Sequence, residues 1–116
     1  MMKKLLGACT AIAMAVTSGP IEASGQTEAE RGLAVFQEWC VSCHGIGPGH
    51  PGTQALDHRY QGVLPGALEQ RTDLSPEIVK SFVRNGISVM PFFRKTEISD
   101  AELDTLGAYL SRNNPR

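Results

Sequence analysis

The 116-residue chain has little of what would announce a function at first sight. It carries three cysteines, one tryptophan and no excess of either charge: 11 basic against 12 acidic side chains give a formal net charge of −1. Near-neutrality excludes the basic field that nucleic-acid binding needs. No segment makes a convincing strand, and no internal repeat or low-complexity tract is present, so the class expected is all-α. Long apolar runs are missing too. The longest, from Leu5 to Val16, is too short to span a bilayer comfortably.

That run follows Lys3 and Lys4 and precedes small and polar residues, the pattern of an export signal. The expected organisation is therefore a signal peptide over residues 1–23 and one domain over 24–116, in the periplasm and without a transmembrane anchor in the mature chain. Cleavage after Ala23 suits the pattern, although Ile21 is bulkier than the usual small residue two positions earlier. The alternative, a lipoprotein box at Leu6, Gly7, Ala8 and Cys9, has only Leu5 and Leu6 as its preceding apolar residues. Loss of the leader removes Lys3, Lys4 and Glu22, leaving nine basic and eleven acidic residues. It also removes Cys9 and three of the four methionines, Met1, Met2 and Met14. The remaining domain is small enough that a core of side chains alone would be marginal.

The two cysteines left stand in Cys40-Val41-Ser42-Cys43-His44. CxxCH is the segment to which haem c is attached through two thioethers while the histidine takes one axial position on iron. Thiols three apart on one helical turn can reach both vinyl groups on one edge of a porphyrin, and the haem would supply the missing core. A thioredoxin-like CxxC would follow a buried strand, whereas Thr27 to Trp39 read as a helix. A zinc site needs further ligands at finger-like spacing, and His50 and His58 are too far apart for the usual pair. A disulfide between Cys40 and Cys43 stays open as an alternative.

Thr27 with Glu30 forms a capping box ahead of Leu33, Phe36 and Cys40 at helical spacing, so a first helix runs into the motif. Gly32 on that stripe permits close approach of another helix. GIGPGHPG, from Gly45 to Gly52, reads as loop because six of its eight residues are glycine or proline. Pro51, or failing that Pro48, is the expected source of a carbonyl for the free ring nitrogen of His44. From Thr53 to Asp73 the periodicity is weak, with one short helix placed around Ala67 to Arg71. Ser75, Pro76 and Glu77 start a second firm helix with Ile78, Val79, Phe82 and Val83 as its apolar face and Gly86 as terminator. Ser99 with Glu102 starts a third, burying Leu103, Leu106, Tyr109 and Leu110.

Met90, the only methionine after the leader, follows the second helix in a loop between Gly86 and Pro91. It is the candidate second axial ligand, since a thioether opposite histidine favours ferrous iron. A lone methionine is otherwise a core filler. His50 and His58 are the rival ligands, His50 handicapped by its closeness to His44. Arg59, Tyr60 and Arg71 are candidates for bonding haem propionates. Val41, Ile46, Val89, Pro91 and Phe93 are candidates for an apolar docking patch, ringed by Arg94 and Lys95. Trp39 and Phe92 read as packing rather than as electron conduits.

Together Cys40 to His44, the Gly32 and Phe36 stripe, GISVMPFF and the last helix resemble class I monohaem cytochromes c over nearly all of the mature chain. The resemblance implies three to five helices around one covalently bound haem, with Gly32 and Phe36 meeting Leu106 and Tyr109 where the first and last helices cross. It implies Cys40 and Cys43 as attachment points, His44 and Met90 as the axial iron ligands, and no catalytic residue. The segment RTDLSPEIVKSFVRNGISVMPFFRKTEISDAELDTLGAYL is similar to the cytochrome subunit of flavocytochrome para-alkylphenol hydroxylases of the 4-cresol dehydrogenase and eugenol hydroxylase type. That likeness implies an electron carrier rather than an enzyme, fed by a flavoprotein subunit and discharging to a downstream redox protein. A free periplasmic shuttle, and a haem enzyme or gas sensor whose sixth site opens, are the alternatives.

Overall fold

The computed structural model describes residues 25–116; the expected leader, its cleavage site and the lipoprotein alternative lie outside them. Among the described residues there are five α-helices and no strand: α1 (Glu28–Trp39), α2 (Val41–His44), α3 (Pro51–Tyr60), α4 (Pro76–Asn85) and α5 (Asp100–Leu110), with a single 3-10 turn at Leu68–Gln70. The all-α expectation holds. None of these helices is long and apolar enough to cross a membrane.

Both capping boxes form. The Thr27 N–H donates to the Glu30 carboxylate at 2.7 Å and the Glu30 N–H returns a bond to Thr27 Oγ1 at 3.2 Å. Ser99 and Glu102 repeat the arrangement at the start of α5, at 2.8 and 3.2 Å. Ser75 Oγ accepts from Ile78 N–H at the start of α4. Each such cap contributes about 1 kcal/mol by satisfying donors that a helix end leaves unpaired.

The first and last helices pack against each other and α4 packs on α5. Gly32 is where α1 and α5 touch: a β-carbon there would lie 2.5 Å from Tyr109 Cβ and closer still to the Thr105 carbonyl oxygen. Phe36, one turn on, meets Tyr109 with ring centroids 6.1 Å apart. The expected crossing is therefore present, with Leu106 fully buried in the same cluster. Val79 and Val83 bring α4 into this core, joined by Ile98, Leu103 and Leu110. Burial of such side chains contributes about 1.5–3 kcal/mol each before chain entropy is counted.

The stretch after the CxxCH motif differs from expectation. Helix α3 begins at Pro51, so the loop ends at His50. The short helix placed around Ala67 to Arg71 is only the 3-10 turn. In α3 only Thr53 is buried and no side chain caps its start; proline at the first helical position supplies the preset backbone angle instead. Thr53 Oγ1 donates to the buried Gly45 carbonyl at 2.7 Å, which ties α3 to the end of α2.

Candidate functional site

The CxxCH segment is a corner. Cys40 closes α1, its N–H bonded to the Phe36 carbonyl at 2.9 Å, and opens α2, whose turn is held by bonds from Cys43 and His44 N–H to the Cys40 carbonyl at 3.1 and 2.9 Å. One helical turn thus carries both thiols and the imidazole. Cys40 and Cys43 are free thiols, the first partly buried and the second exposed. Burial, reinforced by the neighbouring Cys43, pushes the Cys40 thiol up to about 11.

A cavity of about 750 Å³ opens beside this corner and is mostly apolar. Its walls include Trp39, Cys40, Cys43 and His44 from the motif, Ala55, Leu56 and Tyr60 from α3, Ile78 and Phe82 from α4, and Met90 from the loop that follows. That volume lies in the range of ligand and cofactor sites. The structure brings all four expected site residues, Cys40, Cys43, His44 and Met90, to this one cavity. Neither His50 nor His58 lines it. His50 turns the other way, with Nδ1 3.2 Å from the Ser42 carbonyl.

His44 is held in a cradle. A β-carbon at Gly52 would lie 2.7 Å from His44 Cε1 and 2.9 Å from Nδ1, so the first turn of α3 rests on the imidazole. Burial lowers the pKa of His44 and favours the neutral ring, the form that can donate a lone pair to a metal. Its Nδ1 is buried and has no hydrogen-bond partner. The expected carbonyl from Pro51 or Pro48 is not supplied: Pro51 is the first residue of α3, so its carbonyl points along the helix, and Pro48 sits in the exposed turn before it.

Met90 is presented by a tight turn. Ile87 and Met90 exchange backbone hydrogen bonds at 3.2 and 2.9 Å, and Ser88 takes a left-handed φ of 53°. Gly86, at φ 65°, lies so near the returning chain that a β-carbon would sit 2.7 Å from the Met90 carbonyl oxygen. The Phe93 ring packs edge-on against Trp39, 5.8 Å between centroids, joining the methionine loop to the end of α1.

The polar wall is Arg59, Tyr60, Arg71 and Asp73. Arg71, 5% exposed, donates from Nε and Nη2 to the Asp73 carboxylate at 2.6 and 2.7 Å and lies 4.7 Å over the Tyr60 ring. All three propionate candidates reach the cavity, but Arg71 already serves a carboxylate. Sequence reasoning missed Asp73 as its partner and missed Gly52; the two-residue spacing of Arg71 and Asp73 was the available signal. The docking patch also needs correction. Val41 and Phe93 pack on the core, while Ile46, Val89 and Pro91 are exposed as expected and Phe92, read as packing, is 61% exposed. Arg94 and Lys95 pair with Glu97 and Asp100.

No cluster of three or more histidine, cysteine or acidic residues suited to a metal ion occurs among the described residues. A second hollow of about 470 Å³, lined by Glu28, Arg31, Glu38, Glu102 and Asp104 among others, has no sulfur or imidazole donor. The first cavity, by contrast, has the two thiols, the cradled imidazole and the thioether, and these fit a tethered iron porphyrin.

An all-helical shell closing on such a cavity defines a c-type cytochrome domain. The chain belongs to the family described as cytochrome c oxidase, cbb3-type, subunit III, whose profile matches residues 27–110. Membership brings a covalently bound haem c and an electron-transfer role. No curated protein and no solved structure matches the chain.

Proposed function

We propose that this domain is a periplasmic one-electron carrier in which Cys40 and Cys43 hold the haem by thioethers and His44 and Met90 are the axial iron ligands. The observation that carries this reading is the convergence of all four side chains on one apolar cavity. Haem c supplies one-electron chemistry, cycling between ferric and ferrous iron. The chain's own residues determine how that chemistry is used. With His44 and Met90 both holding the iron, a substrate could reach it only by displacing the methionine, so transfer would be outer-sphere. The cradle at Gly52 and the turn at Ile87–Met90 hold His44 and Met90 in place and would limit rearrangement between oxidation states, and the mostly apolar walls would keep water from the iron. Val89 and Phe92, both exposed in and beside the methionine loop, are apolar side chains of the kind small transient redox contacts use.

The donor we propose is a flavoprotein that oxidises a para-alkylphenol and releases electrons singly, supported by the likeness of residues 71–110 to cytochrome subunits of that kind. The name of the matched family favours a second reading, in which the domain delivers electrons to a terminal oxidase. Gel filtration of the native protein from its source separates them. A flavoprotein that co-elutes with the cytochrome and reduces it when given 4-cresol or eugenol supports the first. Elution with a membrane oxidase, or as a monomer reduced by no flavoprotein, overturns it. Domains of this family are typically found outside the cytoplasm, in keeping with a periplasmic site.

A further inference from the structure

The methionine loop leaves α4 at Gly86 and returns to it at Phe93, and its tip is free: Val89 is 98% exposed. Its position depends on how the base is fastened. One fastening is a backbone bond from Phe93 N–H to the Val83 carbonyl at 2.8 Å. The other is a side chain. Arg84 donates from Nη1 to the Phe93 carbonyl at 3.1 Å and from Nη2 to Asp100 Oδ1 at 2.8 Å. Asp100, the first residue of α5, is held on its other oxygen by Lys95 at 2.7 Å. The Arg84 side chain is 22% exposed, and its bond to the Phe93 carbonyl is part-buried, so solvent screening is weakened at the loop base, whereas the Asp100 end, 62% exposed, stays screened.

We infer that Arg84 is a positioning residue for Met90, a latch that grips the base of the methionine loop and the start of α5 at once. The inference rests on the proposed ligation by Met90. Arginine suits the task because its planar fork serves two acceptors in fixed directions, which a lysine ammonium does not. The same two helices carry a built-in control: Lys80 on α4 pairs with Asp104 on α5 at 2.5 Å, a like cross-link made away from the methionine loop.

Imidazole added to the ferric holoprotein competes with the methionine for iron, and its half-saturation concentration, read from the visible spectrum, reports how firmly Met90 is held. Loss of one charge-assisted hydrogen bond at the loop base lowers that concentration roughly tenfold in Arg84→Met. Lys80→Met leaves it at the wild-type value. In a Met90→Ala background the Arg84 substitution has no further effect, since nothing remains to be positioned. The latch is overturned if Arg84→Met behaves like Lys80→Met, or if its effect survives undiminished in Met90→Ala. A Met90→Ala protein with wild-type imidazole affinity overturns the ligation itself, and the latch with it.

Discussion

Gly32 and Gly52 do similar work in two places, each allowing a helix to lie directly on something a side chain would push away. At Gly32 it is the Thr105 to Tyr109 stretch of α5; at Gly52 it is the His44 imidazole. Gly32→Val inserts three carbons where not even one fits, and overpacking of this kind costs about 2–3 kcal/mol. The expected result is a lower urea midpoint with an unchanged slope in equilibrium unfolding. Asp73 gives a pH-dependent counterpart. The hydrogen bonds from Arg71 hold its carboxyl below the ordinary value of 3.8, so the folded chain keeps it ionised where the unfolded chain has taken up a proton. The stabilisation is whole above that ordinary value and is lost as pH falls through the lower native one. Asp73→Asn should therefore flatten the acid limb of an unfolding free energy measured from neutral pH downward. At this scale Gly32 was legible as a packing stripe with Phe36. Gly52 was not, because within GIGPGHPG nothing separates a glycine that makes a turn from one that makes room.

Among the elements, α1, α4 and α5 were legible because each carries its own start signal and an apolar stripe that packs on protein. Even so, the stripe of α4 is divided in its burial: Val79 and Val83 are buried in the core and also line the cavity, while Ile78 and Phe82 line the cavity half-exposed. Helix α3 went unseen for the same reason taken further. Ala55, Leu56 and Tyr60 point to the cavity and Thr53 alone is buried in protein, so the periodicity that marks a helix against a protein core is faint. This makes α3 the helix most dependent on the haem. In amide hydrogen exchange of the haem-free chain, α3 should be the first of the long helices to lose protection, with α1 and α5 the last. In the holoprotein α3 should exchange at a rate near that of α4. Equal protection of α3 in both forms would contradict this.

Across the whole molecule, two packed regions share one set of helices. The α1–α5 crossing and α4 make a small core, of which Val79, Val83, Leu106 and Leu110 also line the cavity, and that cavity lies between α4 and the CxxCH corner, with α3 and the methionine loop completing its wall. The proposed haem ligands could be picked out from scarce residue types and their spacing, whereas the propionate wall and docking patch needed coordinates, because they are built of common residues whose direction decides their role. Val41 and Phe93 turn inward and Phe92 outward, a distinction no composition shows. The central claim is that His44 and Met90 form one axial pair within this frame. Its most direct test is the reduction potential of the purified holoprotein with and without Met90→Ala. A clear fall in potential is predicted, because the soft thioether that favours ferrous iron has gone; an unchanged potential would mean that Met90 does not bind the iron.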